Sequence, residues 1–166
     1  MAASFDILAP SIARLANRGG DFIMAGYNGP FNERREKAMK HLTPIETHKF
    51  LHENPLALFI DVRSEMEFLF VGHPVGAIMV PWNDGPDWEV NPHFVAHVKK
   101  AASVDRPIVL ICRSGNRSRD AGAALEQAGF TEVYNVLHGF EGELDDQHQR
   151  GKTTGWRHDG LPWEQC

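Results

Sequence analysis

The chain is short of cysteine. It has two in 166 residues, Cys112 and Cys166, too few for a disulfide framework and suited to a compartment where thiols stay reduced. No apolar run is long enough to span a bilayer, so a membrane partner is not expected. Asp6 and Pro10 interrupt the apolar part of the N-terminal stretch MAASFDILAPSIARLANRGG, which makes it a poor signal peptide. Arg14 and Arg18 leave a mitochondrial presequence open; the expected location is cytoplasmic. An excess of positive charge is missing as well: 22 acidic residues face 17 Lys and Arg. A nucleic-acid partner is therefore not expected, and any positive field must be local. The sequence has no internal repeat and no low-complexity tract.

What is present suits one globular domain with a real core, since 42% of the residues are hydrophobic. Residues 1–42 read as a partly helical extension rich in turn formers, ending in the charged helical stretch NERREKAMKHL with Asn32 as N-cap. From Thr43 an α/β rhythm sets in. Thr43, Pro44 and Glu46 form a capping box at the start of a helix. The apolar run LALFIDV (56–62) reads as a strand buried on both faces, and SEMEFLF as a short helix capped by Ser64. GAIMVPW (76–82) reads as a strand, and NPHFVAHVKKAA as a helix capped by Asn91. PIVLIC (107–112) is the most apolar strand; RDAGAALEQAG, stopped by Gly129, is a helix; EVYNVLHG (132–139) is the last strand. Strands alternating with helices predict an α/β fold with a central parallel sheet flanked by helices on both faces. Residues 43–150 form the domain on this reading, and the tail 151–166 packs back on it, burying Trp156 or Trp163.

The stretch IVLICRSGNRSRDAG (108–122) carries the chemistry. In open α/β sheets ligands bind at the carboxyl ends of the strands, and Cys112 lies at such an end. A short loop feeding a helix turns backbone N–H groups and the positive end of the helix dipole inward. Arg113 and Arg117 add charge, Ser114 and Ser118 hydroxyls, Asn116 an amide, and Gly115 a tight turn. Such surroundings favour an anion on sulfur, so Cys112 would need no separate general base. A buried, inert cysteine would not be followed by so many polar groups.

CRSGNRS after a buried strand resembles the active-site loop of rhodanese-like sulfurtransferases. LFIDVRSEMEF resembles the family's Asp-x-Arg segment through Asp61 and Arg63. GHPVGAIMVPW resembles its Gly-His segment through Gly72, His73, Gly76, Ala77 and Pro81. All three pieces occur in the family's order, within about residues 43–150. The resemblance implies a rhodanese-like fold of the single-domain thiosulfate sulfurtransferase type. It implies a ping-pong reaction in which Cys112 takes a sulfur from an anionic donor, forms a persulfide and passes it to cyanide or a thiol, with no cofactor. Arg113 would sit near the mouth and attract the donor, while Arg117 would help orient it and support the loop. Arginine directly after the cysteine resembles thiosulfate-using members and points to thiosulfate or polysulfide. The partners implied are a small anionic sulfur donor and a thiol or protein acceptor.

Loop length separates sulfur from phosphate chemistry. The tyrosine-phosphatase cradle resembles cysteine, five residues, then arginine; here four residues separate Cys112 from Arg117, and Ser118 stands where that arginine would be. A shorter ring suits one terminal sulfur better than a phosphoryl group. A phosphatase or arsenate reductase on the same fold, with Asp84 or Asp87 as its acid, stays the alternative, as does a persulfide-carrying interaction module. Asp61 and Arg63 are expected to pair and support the site, and His73 to be structural. Trp82 and Trp88 either wall the pocket or pack on the sheet. The pairs His48/His52 and His93/His97 have metal-ligand spacing but no third ligand nearby, so they read as solvated helix faces and no metal is expected. Cys166 reads as a bystander or a resolving thiol.

Overall fold

The computed structural model describes residues 38–166. The expected extension lies outside the described residues up to position 37. Its last residues do not belong to a helix: Lys40–Leu42 is strand β1, paired in parallel with a later strand. The domain therefore begins before Thr43, because the edge of the sheet needs this segment. Next comes helix α1 (Pro44–Glu53), opened by the expected box. Its Thr43 N–H donates to the Glu46 carboxylate at 2.8 Å, and the Glu46 N–H donates to the Thr43 hydroxyl at 3.3 Å.

The remaining elements follow in chain order. They are β2 (Leu58–Asp61), a π-helical segment (Glu67–Val71), β3 (His73–Pro74), β4 (Ile78–Met79), β5 (Asn83–Asp84), β6 (Glu89–Val90), α2 (Phe94–Ala101), β7 (Ile108–Ile111), α3 (Asn116–Gln127), β8 (Val133–Val136) and β9 (Trp163–Glu164). Several run shorter than the hydrophobic pattern suggests. Leu56 is 79% exposed and precedes the strand. The stretch 76–82 keeps only two residues in the sheet, as an edge strand. Helix α2 starts at Phe94 with His93 at its N-cap; the Asn91 side chain, just ahead of the helix, instead accepts from the His93 N–H at 3.0 Å. Helix α3 starts at Asn116 rather than Arg119, because Gly115 makes the sharp turn into it.

The main sheet has five strands in the order β1-β8-β7-β2-β4, every pair parallel. One face buries Ile60, Ile108, Leu110 and Cys112 under Phe94 and Val98 of α2 and Ala121 and Leu125 of α3. The other buries Phe59, Val109, Ile111 and Val136 under Phe50 and Leu51 of α1 and under Phe140 and Trp156. The alternation along β7 decides which side chain meets which layer. The chain leaves β2 toward β4 on one side and leaves β7 toward β8 on the other. The crevice at the carboxyl ends of β2 and β7 is thus the switch point where this architecture binds ligands. Among the described residues no helix is long and apolar enough to cross a membrane.

The C-terminal segment is built into this core. β9 pairs antiparallel with β3. Trp156, 1% exposed, packs on Phe59 with ring centroids 5.4 Å apart, and its indole N–H donates to the Pro162 carbonyl at 2.9 Å. Trp163 stays partly exposed, stacking its edge on Phe140. Replacing Trp156 with alanine removes the largest buried side chain among the described residues and should lower the unfolding free energy by about 3–5 kcal/mol in urea denaturation. A loss below about 1 kcal/mol would mean that the tail is not part of the core.

Candidate active site

β7 delivers Cys112 to the centre of the sheet's carboxyl edge, and four residues later α3 begins. The turn is possible because Gly115 adopts φ 92°, and a Cβ there would press to 3.2 Å on both the Val136 carbonyl and the His138 nitrogen. The Gly115 N–H donates to Cys112 Sγ at 3.1 Å, and the Ser118 hydroxyl donates to the same sulfur at 3.3 Å. The N–H groups of the first turn of α3 have no carbonyl of their own helix to bond, so Asn116, Arg117 and Ser118 add donors to the same region. Cys112 is 1% exposed. The expected substrate-binding residues therefore divide. Gly115 and Ser118 are buried against the sulfur, Ser114 and Arg117 are half-buried, and Arg113 and Asn116 are exposed.

The loop is held from behind by the chain that follows β8. The Phe140 N–H donates to the Cys112 carbonyl at 2.8 Å, and the Glu141 N–H donates to the Arg113 carbonyl at 2.9 Å. Gly139 permits this approach: at its φ of 59° a Cβ would overlap the Cys112 carbonyl oxygen and come within 2.7 Å of the Ser114 nitrogen. Asp61 and Arg63 support the clamp rather than the pocket. The Arg63 guanidinium grips Asp61 through Nε at 2.9 Å and Nη2 at 2.6 Å, donates to the Gly72 carbonyl at 2.6 Å, and covers the Phe140 ring at 4.3 Å. Both side chains are fully buried, so the pair is tolerable only because nearly every charge-bearing atom is bonded. His73 is structural in the same way, stacked on Phe68 at 3.7 Å and bonded to its carbonyl at 3.1 Å.

Arg117 has the supporting half of its expected role. Its guanidinium is gripped bidentately by Glu67, at 2.8 and 2.7 Å, and lies 5.2 Å from the centre of the Trp88 ring. Half-burial pushes the Glu67 carboxyl up, but Arg117 and the Ser64 N–H and hydroxyl outweigh it and hold it down at about 2. Burial likewise works against the charge on Arg117, and Glu67 more than compensates, with the Cys112 sulfur adding to the effect. Arg117 thus ties α3 to the segment after β2 with its charge already matched. Arg113 forms no ion pair among the described residues, so it is the loop's free cation. Arg119 is exposed, 3.8 Å from Asp120.

Glu67 went unnoticed in the sequence, although the Ser64-x-x-Glu67 spacing is a capping box and could have drawn attention to it. The two tryptophans part ways. Trp82 packs edge-on against Phe94 at 5.1 Å, whereas Trp88 is 49% exposed over Arg117. Asp87 is exposed on the β5–β6 turn, and the side chain of Asp84 lies outside the described parts. Cys166 is exposed and both thiols are free. His93 and His97 have ring centroids 6.2 Å apart, and His48 packs on Trp156. Among the described residues no three His, Cys, Asp or Glu side chains come together as a metal site.

The family model described as Rhodanese-like domain matches residues 43–144. The chain belongs to the rhodanese-like domain family. A crystal structure of Rv0390 from M. tuberculosis superposes on this rhodanese-like chain with a TM-score of 0.70 at 41% identity, covering 76% of this chain and 98% of that one. The uncharacterised protein RC0915 of Rickettsia conorii is 29% identical over 132 residues, again 76% of this chain and 98% of the relative. Thiosulfate sulfurtransferase GlpE of Pseudomonas aeruginosa is 35% identical over 96 residues, 58% of this chain and 76% of the relative. The rhodanese-like fold expected from the three sequence segments is therefore the fold of this chain.

The Glu67–Arg117 bridge has a pH signature. A carboxyl held at about 2 against an ordinary 4.5 stabilises the fold fully above pH 4.5, and that stability is lost as pH falls through about 2. The stability gap between wild type and Glu67→Gln should be on the order of 2–3 kcal/mol at neutral pH and should close as the acid side is approached. Urea denaturation across pH checks this, and a gap that does not vary with pH would refute the bridge.

Proposed function

We propose that this chain is a sulfurtransferase that moves a sulfane sulfur from a small anionic donor, thiosulfate or polysulfide, to a thiol or cyanide through a persulfide on Cys112. The observation that carries the reading is the pair of donors on one buried sulfur, the Gly115 N–H and the Ser118 hydroxyl, at the start of α3. The GlpE relatives, named as thiosulfate sulfurtransferases, support it from outside the structure.

In the first half-reaction the Cys112 thiolate attacks the outer sulfur of thiosulfate. A new S–S bond forms, the old one breaks, and sulfite leaves with the electron pair. In the second, the acceptor attacks the outer sulfur of the persulfide and the Cys112 thiolate leaves. The donors around the sulfur are fixed before either step, so they need no reorganisation when charge moves between the inner and outer sulfur. Arg113 draws the anionic donor to the mouth. Arg117 shapes the wall rather than gripping substrate, because Glu67 matches its charge and holds one N–H of each terminal nitrogen. This last point also speaks against the phosphatase reading, which calls for an arginine fork open to phosphoryl oxygens. The free thiols fit a cytoplasmic setting.

Intact-mass analysis after incubation with thiosulfate tests the reading. The protein should gain one sulfur, lose it to cyanide, and gain nothing as Cys112→Ser. No adduct in the wild type, with turnover of a phosphotyrosine analogue, would establish the phosphatase alternative; no adduct and no turnover would leave the interaction module. Arg113→Gly should raise KM for thiosulfate about fivefold or more while lowering kcat less. A collapse of kcat alone would remove Arg113 from the mouth.

A further inference from the structure

The β5–β6 hairpin carries a feature that the sulfur chemistry above leaves unused. Trp88 sits at φ 55°, the left-handed region that bulky side chains avoid. The turn holds it there: the Trp88 N–H reaches the Gly85 carbonyl at 3.4 Å and the Asn83 amide donates to the Trp88 carbonyl at 3.1 Å. A glycine would fit this backbone better. The consequence of having tryptophan is positional. One face of the indole lies against the Arg117 guanidinium, in the first turn of α3, and half of the side chain stays in solvent. An exposed aromatic in a disfavoured backbone conformation, beside the reacting cysteine's loop, is strain kept for a purpose.

The surroundings narrow that purpose. Arg117 is already matched by Glu67, so it attracts an incoming anion less than an unpaired arginine would. Arg113 is exposed and forms no ion pair among the described residues. The cysteine's loop therefore carries an exposed guanidinium at Arg113 and, through Arg117, meets the flat apolar face of Trp88. Beyond Trp88 the same hairpin borders a groove of about 350 Å³, lined by Pro81, Glu89, Val90, Asn91 and Pro92, where a longer ligand has room. Thiosulfate and cyanide have no apolar body to place on an indole. An organic thiol does.

Building on the sulfurtransferase reading, we propose that Trp88 selects the sulfur acceptor, and that the acceptor is a small organic thiol with an apolar body and a carboxylate. The body lies on the indole, the carboxylate meets Arg113, and the thiolate reaches the cysteine. It attacks the outer sulfur of the Cys112 persulfide. The S–S bond of the persulfide breaks, the Cys112 thiolate leaves with the electron pair, and the acceptor departs as its own persulfide. No oxidant or reductant is consumed.

The test compares two acceptors on the full chain loaded with sulfur from thiosulfate: thioglycolate, which has the carboxylate and almost no body, and 6-mercaptohexanoate, which has both. In the wild type kcat/KM for 6-mercaptohexanoate should exceed that for thioglycolate by about fivefold or more, a preference of the size that a few methylenes against an open apolar face confer. Trp88→Phe should keep most of it. Trp88→Gly should bring the ratio to about one while its Tm stays at or above that of wild type, since glycine relieves the backbone. A merely structural Trp88 would lower Tm and leave the ratio alone. A wild-type ratio near one, or a ratio that survives Trp88→Gly, overturns the proposal. The mass of the loaded protein is read first. If the wild type takes up no sulfur, the sulfurtransferase reading itself has failed, and the acceptor proposal falls with it.

Discussion

Two backbone hydrogen bonds set up the site. The Phe140 and Glu141 N–H groups bind the carbonyls of Cys112 and Arg113 from behind. A peptide group has a donor at one end and an acceptor at the other, so carbonyls fixed backward leave the N–H groups of the loop facing forward. The clamp requires two chains to approach closer than a Cβ would allow, and Gly139 meets that need. The buried Asp61–Arg63 pair acts one layer further out, packing the guanidinium on Phe140 and so fixing the segment that fixes the loop. Helix α3 then adds its unpaired amides and its dipole to a concavity already formed.

The electrostatics of the site follow from which charges are matched. The whole chain is acidic, at −5, and the loop is the exception. Of its two arginines nearest the cysteine, one is bound and one is free. Arg117 is neutralised by Glu67 and turned into a structural wall that Trp88 covers. Arg113 remains exposed and forms no ion pair among the described residues. On the proposed function the division separates tasks: backbone amides and the Ser118 hydroxyl serve the sulfur, Arg113 serves encounter, and the Glu67–Arg117 bridge holds α3 against the segment after β2.

Much of this could be read from the sequence, and the rest could not for definable reasons. The strand ending at Cys112, the helix after it and the parallel order followed from local patterns: a continuous apolar run, alanines at helical spacing, and Gly129 as a stop. Asp61 and Arg63 were expected to pair because polar groups at strand ends need partners, and they do. The missed features depend on long-range contacts. Glu67 meets Arg117 across fifty positions of sequence, and no local pattern encodes that. β1 is a three-residue edge strand of mixed polarity, stabilised by its neighbour rather than by propensity. The start of α3 was placed too late because serine, glycine and asparagine look like loop residues, while a left-handed Gly115 lets the helix begin directly behind them.

The central claim is that a rigid ring of donors, set before substrate arrives, holds the charge of the outer sulfur. Backbone NMR of the chain before and after thiosulfate tests it most directly, with the added sulfur verified by mass. The account predicts that the amide protons of Gly115 to Ser118 move downfield as they take up the new anion. Those of Phe140 and Glu141, bonded to carbonyls behind the loop, should hold their positions. A persulfide that leaves the Gly115 to Ser118 amides unmoved, or that shifts the clamp instead of the ring, would contradict it.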